Sequence, residues 1–219
     1  MVVQKQPLWL RTFHWFNLIA FLVMVWSGLL IYWAHDAYRI GWGSWTLFKF
    51  FPTGFYKTLG LESRLAEGIS WHFLFMGWFV LNGILYGAML IRSKSYTHFL
   101  PYKGVFKDAL GVALHDMKLR KEAPPKKGKF NAAQRLAYAS ALVMGAGLVI
   151  SGVAIWKPVQ AVGITQLLGG YPFARVVHFT CMLGLLGFML IHVVQVIRDG
   201  WNTLRGMITG STLEVSDES

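Results

Sequence analysis

The sequence predicts an all-α integral membrane protein, a four-helix transmembrane bundle, and three observations carry that expectation. Hydrophobic residues make up 55% of the 219 residues and charged ones only 14%, against roughly 25% charged in an average globular domain. Asp, Glu, Lys and Arg are absent from 12–35, 68–91, 136–156 and 176–197, gaps of 24, 24, 21 and 22 residues, and about 20 apolar residues span a bilayer as a helix. The positive charge is gathered in one place: residues 92–135 hold eleven Lys/Arg and three acids in a chain of net charge +11. A Lys/Arg excess between two spans marks the cytoplasmic side. Both termini and that loop are therefore expected inside, with 33–68 and 156–175 outside.

The same arithmetic excludes other classes. A single cysteine, Cys181, rules out an intrachain disulfide framework and any multi-cysteine zinc or iron–sulfur site made by this chain alone. The basic residues sit in a loop between spans, which points to lipid and the positive-inside rule, with no nucleic acid partner.

The first span is expected at about 12–35, with Trp9 and Trp15 at interfacial depth. Its apolar run is longer than the 7–15 residues of a signal core, and no small-x-small cleavage site follows, so it reads as a retained helix. The outer segment 36–67 is rich in aromatics (Trp42, Trp45, Phe48, Phe50, Phe51, Phe55 and Tyr56), and Pro52-Thr53-Gly54 breaks it. Short helices at the membrane surface are expected there, serving as interfacial anchors or as a docking surface for an extracytoplasmic partner. The second span, 68–91, stops at Arg92-Ser93-Lys94. The basic loop 92–133 carries an expected amphipathic helix around 105–119 and a flexible Pro/Lys run over 122–129. The third span, 134–156, ends at Trp156-Lys157-Pro158, because proline cannot continue a helix. An outer turn with Gly169-Gly170 leads to the fourth span, 175–197. The tail 211–219 is polar, acidic and expected to be mobile. The chain reads as one membrane domain with no internal repeat of useful strength.

Four of the seven histidines, His14, His72, His178 and His192, fall inside spans, where ionisable residues are rare and normally functional. Span direction gives their depths. His14 lies three residues into a span entering from the inside; His72 and His178 lie five and three residues into spans entering from the outside. His192 follows His178 by fourteen residues, roughly 21 Å deeper at 1.5 Å per residue and on nearly the same helix face. Two pairs result: His72 with His178 in the outer leaflet, and His14 with His192 in the inner leaflet. Paired imidazoles at two depths suit two bis-histidine b haems, with these four residues as iron ligands. A bare zinc ion would want four clustered ligands, and no acid or cysteine stands beside either pair.

Neighbouring residues carry two readings each. Gly28, fourteen residues after His14, sits at the depth of the outer pair and would admit a porphyrin edge. Gly145, Gly147, Gly152, Gly184 and Gly187 would do likewise or serve close helix packing. Arg175 and Arg11, each one turn before a histidine, would pair haem propionates or anchor helix ends. Cys181 and Met182 read as packing residues.

Several runs resemble a known family. Arg11-Thr-Phe-His14-Trp15 through Trp26-Ser27-Gly28 resembles the first helix of the membrane gamma subunit of respiratory formate dehydrogenases. Gly128-Lys-Phe-Asn131-Ala-Ala-Gln134-Arg135 and Ser151-Gly152-Val-Ala-Ile-Trp156-Lys157-Pro158 are similar to the entry and end of its third helix. His178-x13-His192, then Arg205-Gly-Met-Ile-Thr-Gly210, resembles its fourth helix and exit. The resemblance covers most of the chain except 33–68 and the loop before Lys126. The wider group includes the cytochrome b subunits of nickel–iron hydrogenases and thiosulfate reductase.

This resemblance implies a dihaem cytochrome b of the bacterial cytoplasmic (inner) membrane. Such a subunit exchanges electrons between a quinone, menaquinone or ubiquinone, and an extracytoplasmic molybdenum, hydrogenase or iron–sulfur catalytic subunit. It implies a quinone beside the inner haem, near Asn131 and His192; Gln134, one turn on, is a second candidate contact. The Asn131 amide offers donor and acceptor, though asparagine there is equally a helix N-cap. Two other classes use the same histidines: a stand-alone dihaem cytochrome oxidising superoxide or another small reductant, and a metal transporter that binds no porphyrin.

Overall fold

The computed structural model describes residues 2–4, 6–35 and 38–213. Residues 36 and 37 of the expected outer segment, and 214–219 of the expected acidic tail, lie outside the described residues. In chain order the elements are β1 (Val2–Gln4), α1 (Leu8–Trp33), β2 (Arg39–Trp42), β3 (Trp45–Lys49), α2 (Thr53–Leu59), α3 (Leu65–Arg92), α4 (Val105–Asp116), α5 (Ala132–Trp156), α6 (Val162–Leu167), α7 (Tyr171–Asp199), α8 (Trp201–Thr209) and β4 (Ser211–Leu213), with a 3₁₀ turn at Ser95–His98.

Four of these, α1, α3, α5 and α7, are long and apolar enough to cross a membrane, at 26, 28, 25 and 29 residues. Each overlaps one of the charge-free gaps, and each exceeds the ~20 residues a ~30 Å hydrocarbon core requires. Their outward faces carry large apolar side chains such as Val143 and Ile197, 72% and 73% exposed. In a soluble protein that exposure would drive aggregation; here it is the surface a lipid tail covers, and every mid-helix backbone group is satisfied internally.

The chain divides into two compact units, Gln6–Ile84 and Leu85–Ser219 with Met1–Lys5. In the first, Leu30, Tyr56 and Leu61 form a buried cluster, with Trp26, Leu29, Tyr32, Trp33, Phe51 and Phe55 packed on it. α1 and α3 approach closely because Gly68 has no side chain: a Cβ there would lie 2.6 Å from Leu30 Cβ and 3.0 Å from the Ser27 carbonyl. The aromatic outer segment is not all helical as expected. It forms an antiparallel β2–β3 hairpin, followed by the single short helix α2. The physical reason lies in Gly41-Trp42-Gly43-Ser44-Trp45. Gly43 takes a left-handed φ of 59° at the two-residue loop, a hairpin signature, and aromatic and β-branched residues flank it. Gly41 sits at a register shift where any Cβ would strike the Trp45 carbonyl.

In the second unit α5 and α7 pack most extensively, and α4 lies against α5. Small residues set the α5–α7 approach. A Cβ on Gly147 would come within 2.8 Å of Cys181 Sγ, and one on Gly184 would strike Met144 Sδ. The amphipathic loop helix ends at Asp116, short of the expected 119. The 122–129 run, expected to be flexible, is tied down. Lys127 Nζ reaches Asp108 at 3.0 Å, Tyr102 Oη donates to the same carboxylate at 2.8 Å, and Arg135 donates to the Leu100 and Lys127 carbonyls at 2.7 and 3.0 Å. These partners are far apart in sequence, so no local pattern announces them. Residues 211–213, at the start of the expected mobile tail, pair as β4 with β1, Val2 opposite Leu213 and Gln4 opposite Ser211.

Candidate haem-binding site

Helix position comes first. His72 is the eighth residue of α3 and His178 the eighth of α7, while Ser27-Gly28 and Ser151-Gly152 fall six and five residues before the tryptophans that end α1 and α5. In each unit this offset brings a histidine against a Ser-Gly pair on the preceding long helix. Ser27 Oγ lies 3.0 Å from His72 Nδ1, and Ser151 Oγ lies 3.1 Å from His178 Nδ1. Both serines are fully buried.

The adjacent glycines lie beside the rings. A Cβ on Gly28 would sit 3.6 Å from His72 Cε1, and one on Gly152 would sit 3.5 Å from His178 Cε1. Gly28 and Gly152 thus flank imidazoles, whereas Gly147 and Gly184 serve helix packing, with Cys181 as a packing residue. Cβ positions on Gly145 and Gly187 meet no described atom within 4 Å, so these two leave open space along α5 and α7.

His14 and His192 have aromatic settings. His14, near the start of α1, meets Trp15 edge-on at 5.1 Å, and Arg11 is half-buried one turn before it. His192 stacks on Phe188 at 5.9 Å and 13°. A run of ring contacts continues from Phe188 to Tyr138, from Tyr138 to Phe130, and from Phe130 to Phe99, at 6.1, 5.0 and 5.6 Å. It leads from His192 to the residue beside Asn131. Arg175 lies half-buried in the first turns of α7.

Asn131 and Gln134 form a reciprocal capping box at the start of α5. Asn131 Oδ1 accepts from the Gln134 backbone N–H at 2.8 Å, and Gln134 Oε1 accepts from the Asn131 N–H at 3.2 Å. The box uses both side-chain oxygens and neither NH₂ group.

The donor set fits haem. Four imidazoles recur along the spans, the thiol of Cys181 stands alone, and among the described residues no group of three or more His, Cys, Asp or Glu could hold a bare metal ion. Gly28 and Gly152 leave no side chain beside the two rings, where a Cβ would already be in van der Waals contact. Sequence reasoning missed Ser27 and Ser151 as functional residues; the recurring Ser-Gly dipeptide just before a helix-ending tryptophan was the available signal.

Four membrane-capable helices with intramembrane imidazoles define a multi-pass membrane cytochrome b with an electron-transfer role. The sequence profile of the prokaryotic cytochrome b561 family matches residues 5–210, and the chain belongs to that family, which implies binding of haem b. It is also 34% identical over 191 residues, 87% of this chain and 88% of the relative, to a putative protein-methionine-sulfoxide reductase subunit YedZ1 of Azospira oryzae.

Proposed function

We propose that this chain is a dihaem cytochrome b, the membrane subunit that carries electrons between the quinone pool and an extracytoplasmic catalytic oxidoreductase subunit. The observation that carries the reading is the matched pair of Ser-Gly/His settings, one in each unit and each at the eighth position of its helix. His72 and His178 hold the outer haem, and His14 and His192 the inner one. Each haem, when bound, supplies reversible one-electron carriage. Arg175 and Arg11, one turn from ligands at opposite membrane faces, neutralise propionates.

On the cytoplasmic side Asn131 and Gln134 receive the quinone head group. Their amide NH₂ groups, left over by the capping box, donate to its carbonyl oxygen. Phe130 and Tyr138, in ring contact beside them, supply an aromatic wall leading towards His192. The name of the Azospira oryzae relative supports a reductase as partner. Converting a sulfoxide to a thioether takes up two electrons and two protons and releases water, so with such a partner electrons would run from quinol outward. The membrane is the bacterial cytoplasmic membrane, with both termini and the basic loop inside, as the Lys/Arg asymmetry supports.

Purified protein is expected to give a b-type pyridine haemochrome with about two haems per chain, the number two histidine pairs require; folded protein without haem absorbance sinks the reading. Asn131→Asp retains a capping oxygen and removes the amide donor. Its expected result is slowed haem reduction by quinol with both haems bound. Unchanged kinetics would reduce Asn131 to a cap. Gentle detergent extraction that recovers no catalytic partner, with haem oxidation by superoxide in its place, would favour the stand-alone alternative.

A further inference from the structure

Both outer histidines meet a buried serine through the same ring nitrogen, and the serine's own proton decides what that contact means. A hydroxyl has one hydrogen to donate. Ser151 gives it to the Gly147 carbonyl, 2.6 Å away, a separation two oxygens hold only with a proton between them. Ser27 makes the corresponding bond to the Met24 carbonyl at 3.2 Å. Such back-bonding is the usual way a serine sits inside a helix. With the Ser151 proton committed, its oxygen is an acceptor, so His178 Nδ1 carries the hydrogen and the lone pair lies on Nε2, with Leu148 a further backbone partner of the ring; the matching helix positions of Ser27 and His72 give that pair the same roles.

We propose that Ser27 and Ser151 are positioning residues that hold His72 and His178 in the Nδ1–H tautomer, so that each imidazole would offer Nε2 to haem iron and each serine would tune the haem its histidine holds. This rests on the reading of His72 and His178 as haem ligands. The device is duplicated within the chain. In α1 and α5 the serine precedes a glycine that lies beside the ring, and the residue three further on, Leu30 or Ala154, is fully buried. In α3 and α7 the residue four before the histidine is small: Gly68, pressed against α1, and Ala174, fully buried. Each long-helix pair thus supplies one oriented imidazole.

The consequence is electronic as well as steric. An N–H···O bond at Nδ1 raises the electron density the ring offers at Nε2, as outer-shell acceptors do for ligating histidines, and favours the ferric state. Removing the acceptor must raise the potential of that haem. The serines differ from merely structural residues in that each should move the potential of the haem its histidine holds.

The test uses holoprotein carrying Ser27→Ala, Ser151→Ala, both together, and the near-isosteric Ser27→Cys and Ser151→Cys, whose sulfur is a weak acceptor. Haem content is counted and each haem titrated potentiometrically. Single alanine variants are expected to keep both haems and to raise the reduced-to-oxidised ratio of one haem about threefold at fixed potential. With one haem shared by His72 and His178, the double variant should give about tenfold, or 59 mV for a one-electron couple. Cysteine variants should shift the same way by less. Unchanged potentials with both haems bound overturn the serines' role while leaving the ligand assignment intact. Shifts falling on two different haems uphold the serines' role and overturn the shared-haem reading. Haem loss from both the alanine and the cysteine variant at either site marks that serine as structural and also overturns the proposal.

Discussion

At the scale of single residues, the four intramembrane histidines divide into two kinds of setting. His72 and His178 are bonded to serines, and His14 and His192 lie against the aromatic rings of Trp15 and Phe188. Alanine substitution separates the pairs. His72→Ala and His178→Ala are each expected to leave about one haem per chain, and the same one, while His14→Ala and His192→Ala remove the other, since a bis-histidine site fails when either ligand goes. Haemochrome quantitation together with the split of the α-band absorbance reads both outcomes. The histidines were legible in the sequence because a titratable ring stands out in an apolar run. The serines were not. Serine is unremarkable in a membrane helix, and its role emerges only when the rotation of two helices turns it towards a ring. Asn131 is an intermediate case, since asparagine before an apolar run already reads as a cap; the bond its own backbone N–H donates to Gln134 Oε1 adds the second half of the box.

At the scale of elements, the four long helices follow from composition alone, but their contacts do not. Gly68 lets α1 and α3 approach closely, and the atoms a Cβ would meet include the Ser27 backbone carbonyl, which cannot swing aside as a side-chain tip would. Gly68→Ala is expected to cost about 1–3 kcal/mol, the usual range for overpacking, and to lower the detergent-unfolding midpoint. Gly145→Ala, which meets no described atom within 4 Å, should be close to neutral in the same assay. The outer hairpin was missed because clustered aromatics suggest a membrane-surface helix as readily as a strand. Gly41 and Gly43 were the deciding residues, one at a bulge and one in the loop. The tether of the basic loop is the other feature that sequence reading missed. Tyr102 and Lys127 hold the Asp108 carboxyl below the usual carboxylate range, while burial and Asp108 push the Tyr102 phenol up. A depressed carboxylate contributes stability above its unfolded value and loses it as pH falls through the folded one. The loop should therefore stay tied at neutral pH and release only in acid below the ordinary aspartate range. Asp108→Asn is expected to release it at neutral pH, read as faster tryptic cleavage after Lys126 and Lys127 than in the parent protein.

At the scale of the whole molecule, β1 and β4 pair the two ends of the chain, so the ends share one side of any membrane the helices cross. Four spans are an even number and give the same result independently. Reporter fusions at the two termini should therefore agree, both reading cytoplasmic. In a background with Cys181→Ser, Ser44→Cys in the hairpin loop should react with an impermeant thiol reagent from the opposite side, and Lys126→Cys only after permeabilisation. Ends on opposite sides would contradict both the strand pairing and the span count.

The nesting of the two units gives synthesis a fixed timetable. Gln6–Ile84 is enclosed in chain order by the two pieces of the other unit, so β1 is made before it and its partner β4 after it. His72 precedes His178 by 106 residues, an interval of roughly 5–20 s at the 5–20 residues per second of translation. Through that delay His72 can settle against Ser27 before His178 has been made. The second serine–histidine contact waits for α7, the last of the four long helices to emerge.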